Sequence, residues 1–149
     1  MVLDTSVAVK FYVPEELREE ALEVLAAAEA GYLELVAPAT LQPEFLNALW
    51  WKHRRGELSR EEVKNSWERL IADRPASLYA PEDLMPRAAE ITLESGVIVY
   101  DALFLALAED MGAVVVTADG KLLMSLEDTS YAHLGHPLAD ARSLIPNTS

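Results

Sequence analysis

The stretch Tyr100–Asp119, YDALFLALAEDMGAVVVTAD, constrains the fold more than any other part of the chain. Its first half is apolar around almost the whole helical circumference, a pattern that belongs to a buried helix. Gly112 then offers a C-terminal stop. AVVVT follows as an unbroken apolar run. A strand with one wet face would alternate, so this one predicts a strand covered on both faces, as in a parallel sheet between helical layers. Parallel neighbours need long crossover connections, usually helices. With 149 residues, 51% of them apolar, the chain can supply one such domain with a sizeable core, and we read residues 1–149 as a single domain.

The rest of the chain fits this plan. Val2–Leu3 reads as a short buried strand. Pro14, Glu15 and Glu16 suit a first helical turn, and ELREEALEVLAAAEA continues it to a stop at Gly31. YLELVAP (32–38) predicts a second strand. TLQPEFLNALWWKHRR predicts a helix ended by Gly56, and Ser59 with Glu62 forms a capping box for SREEVKNSWERLIAD. SLYA (77–80) is a third strand candidate, PEDLMPRAAEITLES a helix closed by Gly96, and ADGKLLMSL a turn with a short helix. Beyond Glu127 the chain reads as loop, with a last strand at YAHL (131–134). Strands alternating with helices give an α/β fold with a mostly parallel sheet.

Composition narrows the function. There is no cysteine, which excludes disulfides and thiolate zinc sites and fits a reducing cytoplasm. No basic N-terminal region precedes a longer apolar stretch, and no apolar run approaches a membrane span, so the expectation is a cytoplasmic protein without a membrane partner. The net charge of −13 argues against loose binding to nucleic acid. Lys52, His53, Arg54 and Arg55 form the one dense basic cluster.

In open parallel sheets ligands bind beyond the carboxyl ends of the strands. Asp4 follows the first strand and Asp119 follows AVVVT. Glu44 opens the helix after the second strand, and Asp101 opens the helix that runs antiparallel into AVVVT. All four reach the same edge. Each acid alone has an ordinary explanation as a turn residue, a cap or a partner of a helix dipole. Together, without matching Lys or Arg, they would repel and raise one another's pKa. A hard cation removes that conflict, and carboxylates with few other ligands suit Mg²⁺ or Mn²⁺.

LDTSV, PEFLNAL and YDALFLALAEDMGAVVVTAD together resemble the PIN-domain ribonucleases, and size and order most resemble the VapC-type toxins of toxin–antitoxin pairs. The resemblance implies a three-layer α/β/α fold with a five-stranded, mostly parallel sheet, and Mg²⁺- or Mn²⁺-dependent cleavage of RNA. By position it implies Asp4, Glu44, Asp101 and Asp119 as the catalytic and metal-binding acids. Ser6 corresponds to the hydroxyl that orders them and Thr117 to the small polar residue before the last; Thr5 reads as a local cap only. The implied partners are RNA, a cognate antitoxin with a basic segment, and a second copy in a homodimer. Three alternatives stay open: a PIN-type nuclease in RNA processing, one acting on a flap-like DNA, and a binding module using the acidic pocket. An aspartyl-phosphate phosphatase would need an acid two residues after Asp4, where this chain has Ser6.

Lys10 and Lys121 lie near the acids in sequence and are candidate phosphate contacts. The Lys52–Arg55 cluster ends a helix about 22 Å long, far from the acidic edge in one subunit, and suits either the helix C-terminus or a partner's groove. Trp50 and Trp51 are adjacent and cannot both face one core, so one is expected inside and the other at an interface. Trp67 reads as core. His53, His133 and His136 lack metal-ligand spacing.

Overall fold

The structure, a computed structural model, describes residues 1–147. Residues 148 and 149, which the single-domain expectation includes, lie outside the described residues. Five short parallel strands form one sheet in the order β3-β2-β1-β4-β5. They are β1 (Val2–Leu3), β2 (Val36–Pro38), β3 (Ser77–Tyr79), β4 (Val115–Thr117) and β5 (Gly135–Pro137). Val2 of the central strand lies opposite both Val36 and Val115, and Val116 lies opposite His136.

Among the described residues seven α-helices connect and cover the strands: α1 (Thr5–Tyr12), α2 (Arg18–Glu29), α3 (Leu41–Arg54), α4 (Arg60–Asp73), α5 (Pro81–Ser95), α6 (Val99–Met111) and α7 (Gly120–Leu126). From β1 to β3 the chain steps one way across the sheet. It then returns to add β4 beside β1 and β5 at the far edge. Right-handed crossovers place these two sets of connections on opposite faces. The packing agrees: α6 lies on β1, β2 and β4 and pairs with α5, whereas α1 packs with α2, α3 and α4. As its sequence predicts, α6 is buried from Ala102 through Ala108. The strand order reverses between β1 and β4, which opens a crevice beyond their carboxyl ends.

The capping box is present: Glu62 N–H donates to Ser59 Oγ and Ser59 N–H to Glu62 Oε1, both at 3.0 Å. Gly96 ends α5 at φ 78°, a conformation open to glycine without strain.

Four local expectations are corrected. The sequence predicts no helix between β1 and Pro14, where α1 lies. At eight residues it spans about two turns, too few for a 3.6-residue period to stand out, and all of Val7–Tyr12, Lys10 included, is buried. α2 starts at Arg18 rather than near Pro14, because Leu17 sits in the left-handed region (φ 63°) and breaks the helical path. The second strand is limited to Val36–Pro38; Tyr32 N–H donates to Ala27 O and belongs to the turn that ends α2. YAHL contains a 3-10 helix at Ala132–Leu134, and the strand is the next segment, Gly135–Pro137. A Gly-His-Pro strand has no apolar pattern, and its proline is tolerated because β5 is an edge strand. Among the described residues no single helix is long and apolar enough to cross a membrane.

Candidate active site

Asp4 leaves β1 at its carboxyl end and caps α1, accepting the Ser6 N–H at 3.3 Å. The same oxygen, Oδ2, accepts the hydroxyls of Ser6 (2.5 Å) and Thr117 (2.8 Å). Thr117 is the last residue of β4, the strand beside β1, so the switch point itself brings these groups together. The network continues through the backbone: Ala118 N–H donates to Ser6 Oγ and Asp119 N–H to Thr117 Oγ1, both at 3.0 Å. Asp119 then caps α7, its Oδ1 accepting the N–H groups of Lys121 and Leu122 at 3.0 and 3.3 Å.

Glu44 stands in the first turn of α3 and accepts the Thr5 hydroxyl on Oε2 at 2.8 Å. Its other oxygen, Oε1, is buried without a hydrogen-bond partner. Asp101 lies in the first turn of α6. A pattern runs through three of the acids. Among the described residues, hydrogen bonds reach Oδ2 of Asp4, Oε2 of Glu44 and Oδ1 of Asp119, and the second oxygen of each is left free.

The four carboxylates act on one another's charge. Burial pushes Glu44 up to about 7; the Thr5 hydrogen bond opposes this, and Asp4 and Asp101 add to it. Burial also raises Asp101 to about 6, with Asp4 and Asp119 adding. Asp4, only 6% exposed, is raised by burial against the pull of its Ser6 and Thr117 hydrogen bonds. Among the described residues none of the four is ion-paired with Lys, Arg or His.

The side chains do not form the tight cluster that four converging acids suggest. Among the described residues no three Asp, Glu or His groups come close enough together to enclose a metal ion unaided. The donor set still fits a hard cation that keeps most of its own waters: it is all oxygen, uncompensated in charge, and carries a buried carboxylate oxygen with no donor.

Other sequence candidates fall elsewhere. Lys10 is buried, its ammonium 2.9 Å from Glu15, and sits six residues along α1 from Asp4, about 9 Å of helix rise away. Lys121 is exposed beside Asp119. Of the basic cluster, Lys52 reaches Glu15 and Glu57, Arg55 pairs with Glu57, and Arg54 lies over the Trp50 ring. Neither adjacent tryptophan is core: Trp50 and Trp51 are 45% and 50% exposed, side by side on α3 with ring centroids 4.8 Å apart. Trp67 packs against the core, partly buried. The residue that sequence reasoning missed is Thr5. Its position at a helix start signals a cap, and nothing local signals a contact 39 residues away.

Residues 1–123 match the PIN domain family. The chain belongs to that family. This PIN domain is 36% identical over 124 residues to Ribonuclease VapC3 of Pyrobaculum aerophilum, a match that covers 82% of this chain and 91% of the relative. Among solved structures it resembles a crystal structure from P. aerophilum (TM-score 0.62, 18% identity, 93% of this chain and 83% of the other). It also resembles a chain in a toxin–antitoxin complex from Klebsiella pneumoniae (TM-score 0.59, 13% identity, 87% and 92%). At these identities the structural likeness speaks for the PIN fold: a five-stranded parallel sheet between helical layers.

Proposed function

We propose that this PIN domain is an endoribonuclease that requires Mg²⁺ or Mn²⁺ and serves as the toxin of a toxin–antitoxin pair. One observation carries the chemistry: carboxylates from four elements share the switch-point edge, and two of them are held at about 7 and 6 with no basic partner. An arrangement that costs stability for no packing gain suits a functional site. The kinship with Ribonuclease VapC3 supports RNA as the substrate.

In this reading Asp4, Glu44, Asp101 and Asp119 would hold the cation together with waters that it keeps. When bound, such an ion supplies a lowered pKa for water and charge stabilisation at the leaving oxygen. Ser6 and Thr117 keep Asp4 from turning, and Asp119 is held by the N-terminus it caps. Lys121 is the better phosphate contact; Lys10 would have to leave Glu15 to serve. A protein of net charge −13 suits an antitoxin with a basic segment laid over the acidic edge. The half-exposed Trp50 and Trp51 support a homodimer.

The test is RNA cleavage by the purified protein with Mg²⁺ or Mn²⁺ and then with excess EDTA, alongside co-expression with the product of any short reading frame directly upstream. Cleavage that stops in EDTA and is blocked by a copurifying basic protein is expected. Undiminished cleavage in chelator overturns the cation requirement. Cation-dependent cleavage with no inhibitory partner overturns the toxin role and favours RNA processing.

A further inference from the structure

We propose that Thr5 is a positioning residue for Glu44: its hydroxyl pins one carboxylate oxygen, so that the other is the oxygen offered to a cation at the acidic edge. The inference rests on the cation-dependent reading above and adds a residue to which the sequence assigned only a capping role.

Thr5 is the first residue of α1, and Glu44 lies in the first turn of α3, a helix that packs against α1. Both therefore stand at the same edge of the sheet. In a helix interior a threonine hydroxyl commonly turns back to the carbonyl of the preceding turn. At the first helical position no preceding turn exists, so Oγ1 is free to reach across. It donates to Glu44 Oε2 at 2.8 Å. β-Branching limits the rotamers open to Thr5, which makes the donor stiff.

The Glu44 carboxylate accepts no other hydrogen bond among the described residues, and its Oε1 is buried with no donor. Such an oxygen carries the full cost of lost hydration unless something binds it. Without the Thr5 hydroxyl, nothing would hold the long Glu44 side chain in one orientation. Outer partners of this kind orient metal ligands, and their loss typically weakens binding 10- to 100-fold.

The dipeptide Thr5-Ser6 thus divides between two carboxylates. Ser6 turns back to Asp4 and across to Thr117, while Thr5 turns out to α3. Two adjacent hydroxyls hold one acid just after β1 and one on α3, 40 residues apart by numbering.

The experiment is calorimetric titration of Mn²⁺ into the metal-free parent, Thr5→Val, Thr5→Ala, Thr5→Ser and Glu44→Gln, with a melting curve in EDTA for each. Thr5→Val and Thr5→Ala should bind Mn²⁺ about 10-fold or more weakly, and Thr5→Ser, which keeps the hydroxyl, should recover most of the affinity. A purely structural role would lower the melting temperature of the first two and leave the Mn²⁺ affinity of the folded protein unchanged. Parent-like affinity in Thr5→Val or Thr5→Ala, with Glu44→Gln weakened, overturns the role of Thr5 and leaves the cation site standing. Equal loss in Thr5→Ser and Thr5→Val also overturns it. If the parent and Glu44→Gln bind alike, or the parent does not bind, the cation reading fails and the Thr5 proposal with it.

Discussion

At the carboxyl end of β1, Oδ2 of Asp4 accepts the Ser6 N–H and the hydroxyls of Ser6 and Thr117, while Oδ1 receives no hydrogen bond among the described residues. An asparagine keeps an acceptor for all three donors, so Asp4→Asn retains the α1 cap. It also removes one of several like charges from a buried edge. In EDTA the variant should therefore be as stable as the parent or more so, by an amount on the order of 1 kcal/mol. Added Mg²⁺ should stabilise the parent by mass action and the variant far less. RNA cleavage should fall about 100-fold. A variant that cleaves normally and gains as much from Mg²⁺ as the parent would leave Asp4 as a cap alone. In sequence the two roles could not be separated, because a cap and a site carboxylate call for the same residue at the same strand end.

Helices α1 and α3 are tied at both ends. Thr5 and Glu44 join them at the acidic edge, and Glu15 joins them at the other, bridging Lys10 at 2.9 Å and Lys52 at 2.6 Å. These side chains are mostly shielded, at 9%, 22% and 17% exposure for Lys10, Glu15 and Lys52. Burial opposes the charge on Glu15, but hydrogen bonds from Lys52 and Lys10 outweigh it and hold the carboxylate below its usual range. A depressed carboxylate contributes stability above its unfolded pKa and loses it as pH falls through the folded value. Glu15→Gln should cost about 1–3 kcal/mol at pH 7, between the values for exposed and fully buried pairs, because it strands Lys10 and leaves Lys52 only the more distant Glu57. The gap should narrow between pH 7 and pH 3 as Glu15 of the parent begins to take up its proton. Denaturant midpoints of both proteins at the two pH values measure it. A gap that stays constant would mean that packing, not charge, ties the helices.

Over the whole molecule two sets of titrations oppose each other. Glu44 and Asp101 have folded pKa values of about 7 and 6, above their unfolded ones, so the native state holds more protons than the unfolded chain across pH 4–7. Stability from these groups is present below the unfolded pKa and is lost as pH rises through the folded values. Glu15 acts in the other direction at lower pH. The metal-free protein should therefore be most stable near pH 5. Between pH 5 and 8 it should lose about 2 kcal/mol, discounted for solvent screening, or roughly 4–8 °C of melting temperature. Saturating Mg²⁺ should lift the alkaline limb more than the acidic one, since a cation favours the ionised carboxylates. Melting curves in EDTA and in Mg²⁺ from pH 4 to 8 test this, and a flat or rising profile in EDTA would contradict the burial that, with the neighbouring acids, raises Glu44 and Asp101.

Local rules already determine a good deal in this chain. The unbroken AVVVT demands a covered parallel strand, the all-round apolar α6 demands burial, Ser59 with Glu62 starts α4, and Gly96 ends α5. Asp4, Glu44, Asp101 and Asp119 each stand at a strand end or a helix start, and in an α/β alternation those positions face one edge of the sheet. These features depend on residues within a turn or two of one another. Tertiary structure alone decided the rest. Thr5 meets Glu44 across 39 residues, and Ser6 and Thr117 converge on Asp4 across as many as 113. Lys10 turns to Glu15 rather than toward the acids, and both Trp50 and Trp51 stay half-exposed. Such contacts follow from which helix faces meet when the core closes. β5 shows the same limit: Gly-His-Pro becomes a strand only because β4 leaves an open edge for it to join.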